Sequence, residues 1–167
     1  VKISERFGYD PVDSTAILQK ALDSGEPVLI LDKTKGPWVS RPLRVRNDTE
    51  LLFEDGAELV AKRGEFKGSN DMLLHCYSVT NIVIRGLGKK GGTVRMWKKD
   101  YQDPKQYKKA EWRHCLRLGG AVNVTLENMT FASSGGDGIC IGMGKGRNSK
   151  NIVIRRVTCD DNHRQGI

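Results

Sequence analysis

The densest polar stretch of the chain is Cys159-Asp160-Asp161-Asn162-His163-Arg164-Gln165-Gly166, with ionisable side chains at four of the five positions 160–164. A second segment, Ser134-Gly135-Gly136-Asp137-Gly138-Ile139, sets a carboxylate between glycines. Adjacent carboxyl groups repel, which raises one pKa and lets that group act as a general acid near neutral pH. Glycosidic-bond hydrolysis needs such an acid and a second carboxylate as base or nucleophile, and their separation decides between inversion and retention. Asp137, Asp160 and Asp161 are therefore the candidate catalytic residues. Arg164 carries the fork that clamps a carboxylate or sulfate, and His163 can shuttle a proton near pH 7. With Gln165 they form a candidate substrate-binding set. The plainer alternative is a pair of polar turns, Asp137 capping one before Gly138 and Arg164 pairing with Asp160 or Asp161 in the other. Calcium is the one cofactor these carboxylates bring to mind, but two of them do not define a site and no EF-hand-like loop is present.

A different chemistry is offered by the tract 97–113, which holds four of the eleven aromatic residues and six basic ones. Aromatic faces stack on sugar rings and Lys or Arg attracts acidic or sulfated groups, so Trp97, Tyr101 and Trp112 join the candidate binding residues. The same composition suits single-stranded nucleic acid. No nucleic-acid module is present, so the expected partner is a polysaccharide, acidic groups included, and not nucleic acid. The glycines and lysines of 144–150 lack the strand-to-helix setting of a phosphate loop.

These residues must be positioned by a scaffold, and the composition bounds it. The 167 residues carry a net charge of +8, with 38% hydrophobic and 29% charged residues. That describes one folded domain and excludes general disorder. No run approaches the roughly 18 apolar residues of a membrane-spanning helix, so no membrane partner is expected. Cys76, Cys115, Cys140 and Cys159 are far apart, without a CxxC pair, and each sits beside strand-like apolar residues. Buried free thiols are expected, not a zinc site or a thioredoxin-like motif.

Internal repetition gives the architecture. Asn81-Ile82-Val83-Ile84, Asn123-Val124-Thr125-Leu126 and Asn151-Ile152-Val153-Ile154 are three copies of a short strand opened by Asn. The last two copies lie 28 residues apart, as do Asp137 and Gln165, and Phe131 and Cys159. The first two lie 42 apart, and the extra 14 residues fit an insertion within 97–113. Short strands at a fixed period, without intervening helices, predict a parallel β-solenoid whose inward side chains stack into one core. A β-sandwich has no such period. Before the coils, which begin at about residue 28, Asp13-Ser14-Thr15 followed by Ala16, Ile17, Leu18, Ala21 and Leu22 predicts a capping helix over about 13–24. The sequence stops at Ile167 within a strand unit, so 1–167 is expected to be one domain, the N-terminal part of a longer protein.

Three segments carry a resemblance to a known superfamily. Phe7-Gly8-Tyr9-Asp10 through Leu22, Gly36-Pro37-Trp38 with Pro42-Leu43, and Asp55-Gly56-Ala57-Glu58-Leu59 resemble the opening strand, capping helix and first-coil turn of the right-handed parallel β-helix proteins of the pectin-lyase-like kind. Ser134-Gly135-Gly136-Asp137-Gly138-Ile139 is similar to the Asn-Thr-Asp-Gly-Ile segment of the polygalacturonase-like glycoside hydrolases within it. The resemblance implies an all-β solenoid with a short N-terminal helix, a secreted or periplasmic location, and a catalytic carboxylate at Asp137. Those hydrolases carry an adjacent Asp pair one coil later, where the 28-residue register here places Arg164-Gln165. A polysaccharide hydrolase is thus the first expectation. A lyase or uronate epimerase using Arg164, and a non-catalytic carbohydrate-binding or adhesin-like solenoid, are its alternatives.

Overall fold

A computed structural model describes all residues, 1–167. Helices α1 (Ile3–Phe7) and α2 (Thr15–Leu22) precede the strands. The chain then makes repeated passes of short strands. The first pass holds β1 (Val28–Leu31), β2 (Trp38–Ser40) and β3 (Leu43–Arg44). The second holds β4 (Thr49–Phe53), β5 (Glu58–Ala61) and β6 (Leu74–Tyr77). The third holds β7 (Thr80–Gly86), β8 (Gly92–Arg95) and β9 (Leu116–Gly119), with the one-turn helix α3 (Lys98–Tyr101) between the last two. In the fourth, β10 (Val122–Ala132) runs unbroken along both β7 and β8 before β11 (Ile139–Gly144). A two-residue strand, β12 (Arg147–Asn148), forms an antiparallel hairpin with β11, and β13 (Lys150–Asp160) lies on β10.

The result is an all-β molecule with few helices, built from a curled, parallel eight-stranded sheet and a second sheet of five strands. Alternate side chains point inward, and register aligns them in columns. Leu29, Leu51, Ile84 and Leu126 form one buried column, Trp38, Leu59, Val94 and Phe131 a second, and Leu43, Leu74, Leu116 and Ile139 a third. Burying each large side chain contributes roughly 1.5–3 kcal/mol, so these columns hold the passes together.

The Asn that opens each repeated strand has a definite task. Asn81, Asn123 and Asn151 all take left-handed backbone conformations, with φ of 58°, 58° and 55°. Asn tolerates that region better than other residues bearing a Cβ. Their amides also bond in file: Asn151 donates to Asn123 at 2.9 Å, Asn123 to Asn81 at 3.2 Å, and Asn81 to Asp48 at 2.7 Å.

At the start of the chain α2 buries Leu18, Ala21 and Leu22 against the first pass. Its Gln19 donates to the Arg44 carbonyl at 3.1 Å and accepts the Arg44 N–H at 3.0 Å. An open strand edge invites pairing with another chain, and this side-chain amide occupies that edge of β3. The 14 extra residues of the third pass are also located. Arg95 and Leu116 are 21 residues apart, while their register partners Ala132 and Ile139 are 7 apart.

Candidate active site

The two glycines before Asp137 let the segment 111–114 approach closely. A Cβ on Gly136 would lie 2.7 Å from the Glu111 carbonyl and 2.8 Å from His114 Nδ1. That approach delivers His114, 1% exposed, to Asp137, 6% exposed. The backbone N–H of Asp137 donates to His114 Nδ1 at 2.9 Å. Its carboxylate Oδ1 accepts the Gln165 N–H at 3.2 Å and lies 3.8 Å from Arg164 Nε, while Oδ2 is 3.4 Å from His114 Nδ1.

The His114–Asp137 contact is not an ion pair. A nitrogen that accepts an N–H carries no proton, so the ring here is neutral. Burial pushes the His114 pKa down, and Arg117 and Arg164 add to that, while Asp137 opposes it. Asp137 thus sits on a rigid turn, beside a neutral imidazole and near a guanidinium.

Cys140 completes the cluster. Its Sγ, a His114 nitrogen and an Asp137 oxygen all lie within 4.8 Å of one another. His, Asp and Cys are metal-ligand types, yet here the donors are already engaged. Nδ1 is used by the Asp137 N–H, Arg117 Nη1 donates to Cys140 Sγ at 3.0 Å, and Arg164 flanks the carboxylate. Two guanidinium groups beside three occupied donors make a poor cation site.

The carboxylates of Asp160 and Asp161 form no hydrogen bond or ion pair with the Asp137 cluster. Asp160 is exposed at the end of β13 in register with Ala132. Asp161 is exposed, and its carboxylate is held by Lys98. The turn that carries them is pinned by Asn162, which accepts the Ser134 N–H and donates to the Phe131 carbonyl. His163 meets Gln102 at 2.7 Å through Nδ1. Arg164 and Gln165 are the two residues of this stretch that reach Asp137.

The three aromatic residues separate equally clearly. Trp97 donates its indole N–H to the Ala61 carbonyl at 2.6 Å and is flanked by the guanidinium groups of Arg63 and Arg95, 4.3 and 4.8 Å from the ring centre. Tyr101 is 5% exposed and packs edge-on against Tyr107. The wholly buried Arg113 faces both tyrosine rings. These residues pin the insertion down. Trp112 alone of the three is open to a ligand, at 52% exposure.

His114, Arg117 and Cys140 were not singled out by sequence. The 42-residue offset between Asn81 and Asn123 also relates His75 to Arg117, so that column was within reach. His114 was not, because its offset to Asp137 is 23 residues, the spacing of β9 and β11, and matches neither of the offsets read from the Asn-led strands.

Against this geometry, known proteins supply a comparison. No protein-family model and no curated protein sequence matches the chain. Solved structures do. A glycosyl hydrolase candidate from Parabacteroides merdae matches with a TM-score of 0.70 and 17% identity over 98% of this chain and 75% of its own. An iota-carrageenase complexed to iota-carrageenan fragments matches with a TM-score of 0.73 and 19% identity over 95% of this chain. A 1,3-α-1,4-β-D-galactose-4-sulfate-3,6-anhydro-D-galactose-2-sulfate 4-galactohydrolase gives 0.74 and 19% over the same share. What is shared is the fold. The chain spans 35% and 37% of the length of the last two, about a third.

Proposed function

We propose that the chain is the N-terminal part of a right-handed parallel β-helix that hydrolyses a polysaccharide, with Asp137 as one of its two reacting carboxylates. The observation that carries this reading is the Asp137 turn itself: a nearly buried carboxylate beside a neutral His114 and near Arg164. The fold it shares with a galactohydrolase and a carrageenase supports the same substrate class. Asp137 would protonate the leaving oxygen, and Asp160, exposed and free of any ion pair, would supply the second carboxylate from the adjacent turn. Arg164 would hold substrate against the carboxylate, and the open ring of Trp112 would support a sugar.

The test is release of reducing ends from a panel of neutral, carboxylated and sulfated polysaccharides, with ultraviolet absorbance followed in parallel. Hydrolysis gives reducing ends without absorbance, and Asp137→Asn should abolish it while leaving the thermal midpoint in place. Retained turnover in that variant defeats the assignment, and absorbance from unsaturated ends makes the chain a lyase. One observation favours a non-catalytic glycan-binding reading: both Asp137 oxygens already face protein groups, as a purely structural carboxylate would. Saturable glycan binding with no chain shortening would establish it.

A further inference from the structure

The outward face of the five-stranded sheet carries a column of which only one end, Arg117 and Cys140, meets the Asp137 cluster. Arg44, His75, Arg117 and Cys140 are register partners on β3, β6, β9 and β11. Strands in a sheet are about 4.8 Å apart, so the column runs about 14 Å across them. Beside its upper half is a cleft of about 380 Å³, lined in part by Arg44, Arg46, His75, Tyr77 and Lys145.

Charge in this cleft is one-sided. Arg46 is paired with Asp23, at 2.5 Å, but Arg44 and Lys145 enter no ion pair, and Arg117, outside the lining, lies next to His75 in the column and donates to Cys140. Unpaired cations gathered around a concavity attract an anion. His75 adds a polar group with nothing to bind: its Nε2 is shielded from solvent and has no hydrogen-bond partner. Buried polar groups are nearly always satisfied, so such an orphan marks a place for a ligand atom. Burial, with Arg117 and Arg44 on either side, pushes the His75 pKa down. An anion would relieve that crowding.

The cleft also has a wall that a sugar can use. Tyr77 is 44% exposed, its ring stands 5.3 Å from the His75 ring, and its hydroxyl accepts the Lys145 N–H at 3.1 Å. One open aromatic ring among cations matches a sugar ring bearing an acidic substituent. Single-stranded nucleic acid calls for successive aromatic platforms, which this face lacks.

We propose that this cleft binds the sulfate ester or carboxylate of an anionic polysaccharide, with the sugar that bears it laid on Tyr77. The choice of a glycan rests on the function proposed above, while the choice of an anion rests on the cleft. The column leads to the reacting centre, because Cys140 belongs to the Asp137 cluster. A glycan crossing the strands would place an anionic ring at His75 and Tyr77 and a linkage near Asp137, two strand spacings or about 10 Å further on.

The experiment is titration calorimetry on the 167-residue chain with four probes. These are oligosaccharides of iota-carrageenan (sulfated), polygalacturonate (carboxylated) and cellulose (neutral), and a single-stranded DNA oligonucleotide. Binding of either anionic glycan but not of the neutral one is expected, and the preferred probe identifies the substituent. Arg44→Gln should weaken it about tenfold, the scale of one hydrogen bond to a charged group, and Arg117→Gln, outside the lining, should weaken it less. Tyr77→Ser should also weaken it and Tyr77→Phe should restore it. Added salt should shrink the arginine effects and leave the Tyr77→Ser effect. Because Arg44 is exposed, its variant separates lost binding from lost folding.

The proposal is overturned if the folded chain binds no anionic glycan or binds the neutral probe as well. It is equally overturned if DNA binds as tightly and Tyr77→Ser changes nothing. Asp137-dependent cleavage of a neutral polysaccharide, unaffected by Arg44→Gln, overturns the cleft and leaves the hydrolase standing. Anionic glycan binding that obeys the cleft variants without any cleavage supports the cleft and removes the hydrolase.

Discussion

His114 accepts the backbone N–H of Asp137 through Nδ1 at 2.9 Å, so a neutral imidazole holds the turn on which the carboxylate sits. This arrangement has a pH signature. The His114 pKa is depressed on folding, as is that of His75. Below the unfolded value near 6.5, the unfolded chain therefore binds more protons than the folded one. The stability these rings provide is complete above that pH and is lost as the pH falls below it. Thermal midpoints measured from pH 7 down to pH 5 should fall, and His114→Asn should show a shallower decline. Equal slopes in the two proteins would remove His114 from the account.

Gly136 is required by closeness, not by conformational freedom. Its missing Cβ leaves room for the Glu111 carbonyl and for His114 Nδ1. Gly136→Ala should cost about 1–3 kcal/mol, the range for overpacking a tight interior, read from urea unfolding. Gly25→Ala is the control, since a Cβ there meets nothing within 4 Å and only its φ of 78° is strained.

Asn123 is the middle member of the asparagine file and bonds both ways. Asn123→Ala loses two side-chain hydrogen bonds and puts alanine in a left-handed conformation, for a cost of about 2 kcal/mol. Asn151→Ala, which breaks one of these bonds, should cost less. The two denaturant midpoints decide whether the file acts as a connected unit.

Trp97 and Trp112, which composition alone treats alike as sugar-binding residues, should differ in their effects. Trp97→Ala removes an indole hydrogen bond and the partner of two guanidinium groups, so it should lower the thermal midpoint by several degrees. Trp112→Ala should leave stability nearly unchanged and weaken glycan binding, measured by the same calorimetry. A midpoint loss confined to Trp112→Ala would reverse these roles.

The strands were legible because their signal is local and repeated. Asn at a left-handed position and alternate apolar residues in stacked columns recur at each pass, so 28- and 42-residue offsets could be read directly. The site was legible only in part. Asp137 and its contacts with Arg164 and Gln165 follow the 28-residue offset. His114 lies 23 residues before Asp137, an offset that the Asn-led strands do not share, and nothing local marks it. Asp161 shows the opposite case: its type fitted the chemistry, but Lys98, 63 residues away, holds its carboxylate. Aromatic residues in the insertion were equally ambiguous, because a ring that binds sugar and one that pins a loop have the same composition.

The insertion adds fourteen residues between Arg95 and Leu116 without moving Leu116 from its partner Ile139. Changes of length at this corner are therefore invisible to the inward columns. Scaffold and corner are free to diverge at different rates, so long as the anchors Trp97, Tyr101, Tyr107 and Arg113 are kept, and a graft between those anchors can alter what the molecule grips without renegotiating how it folds.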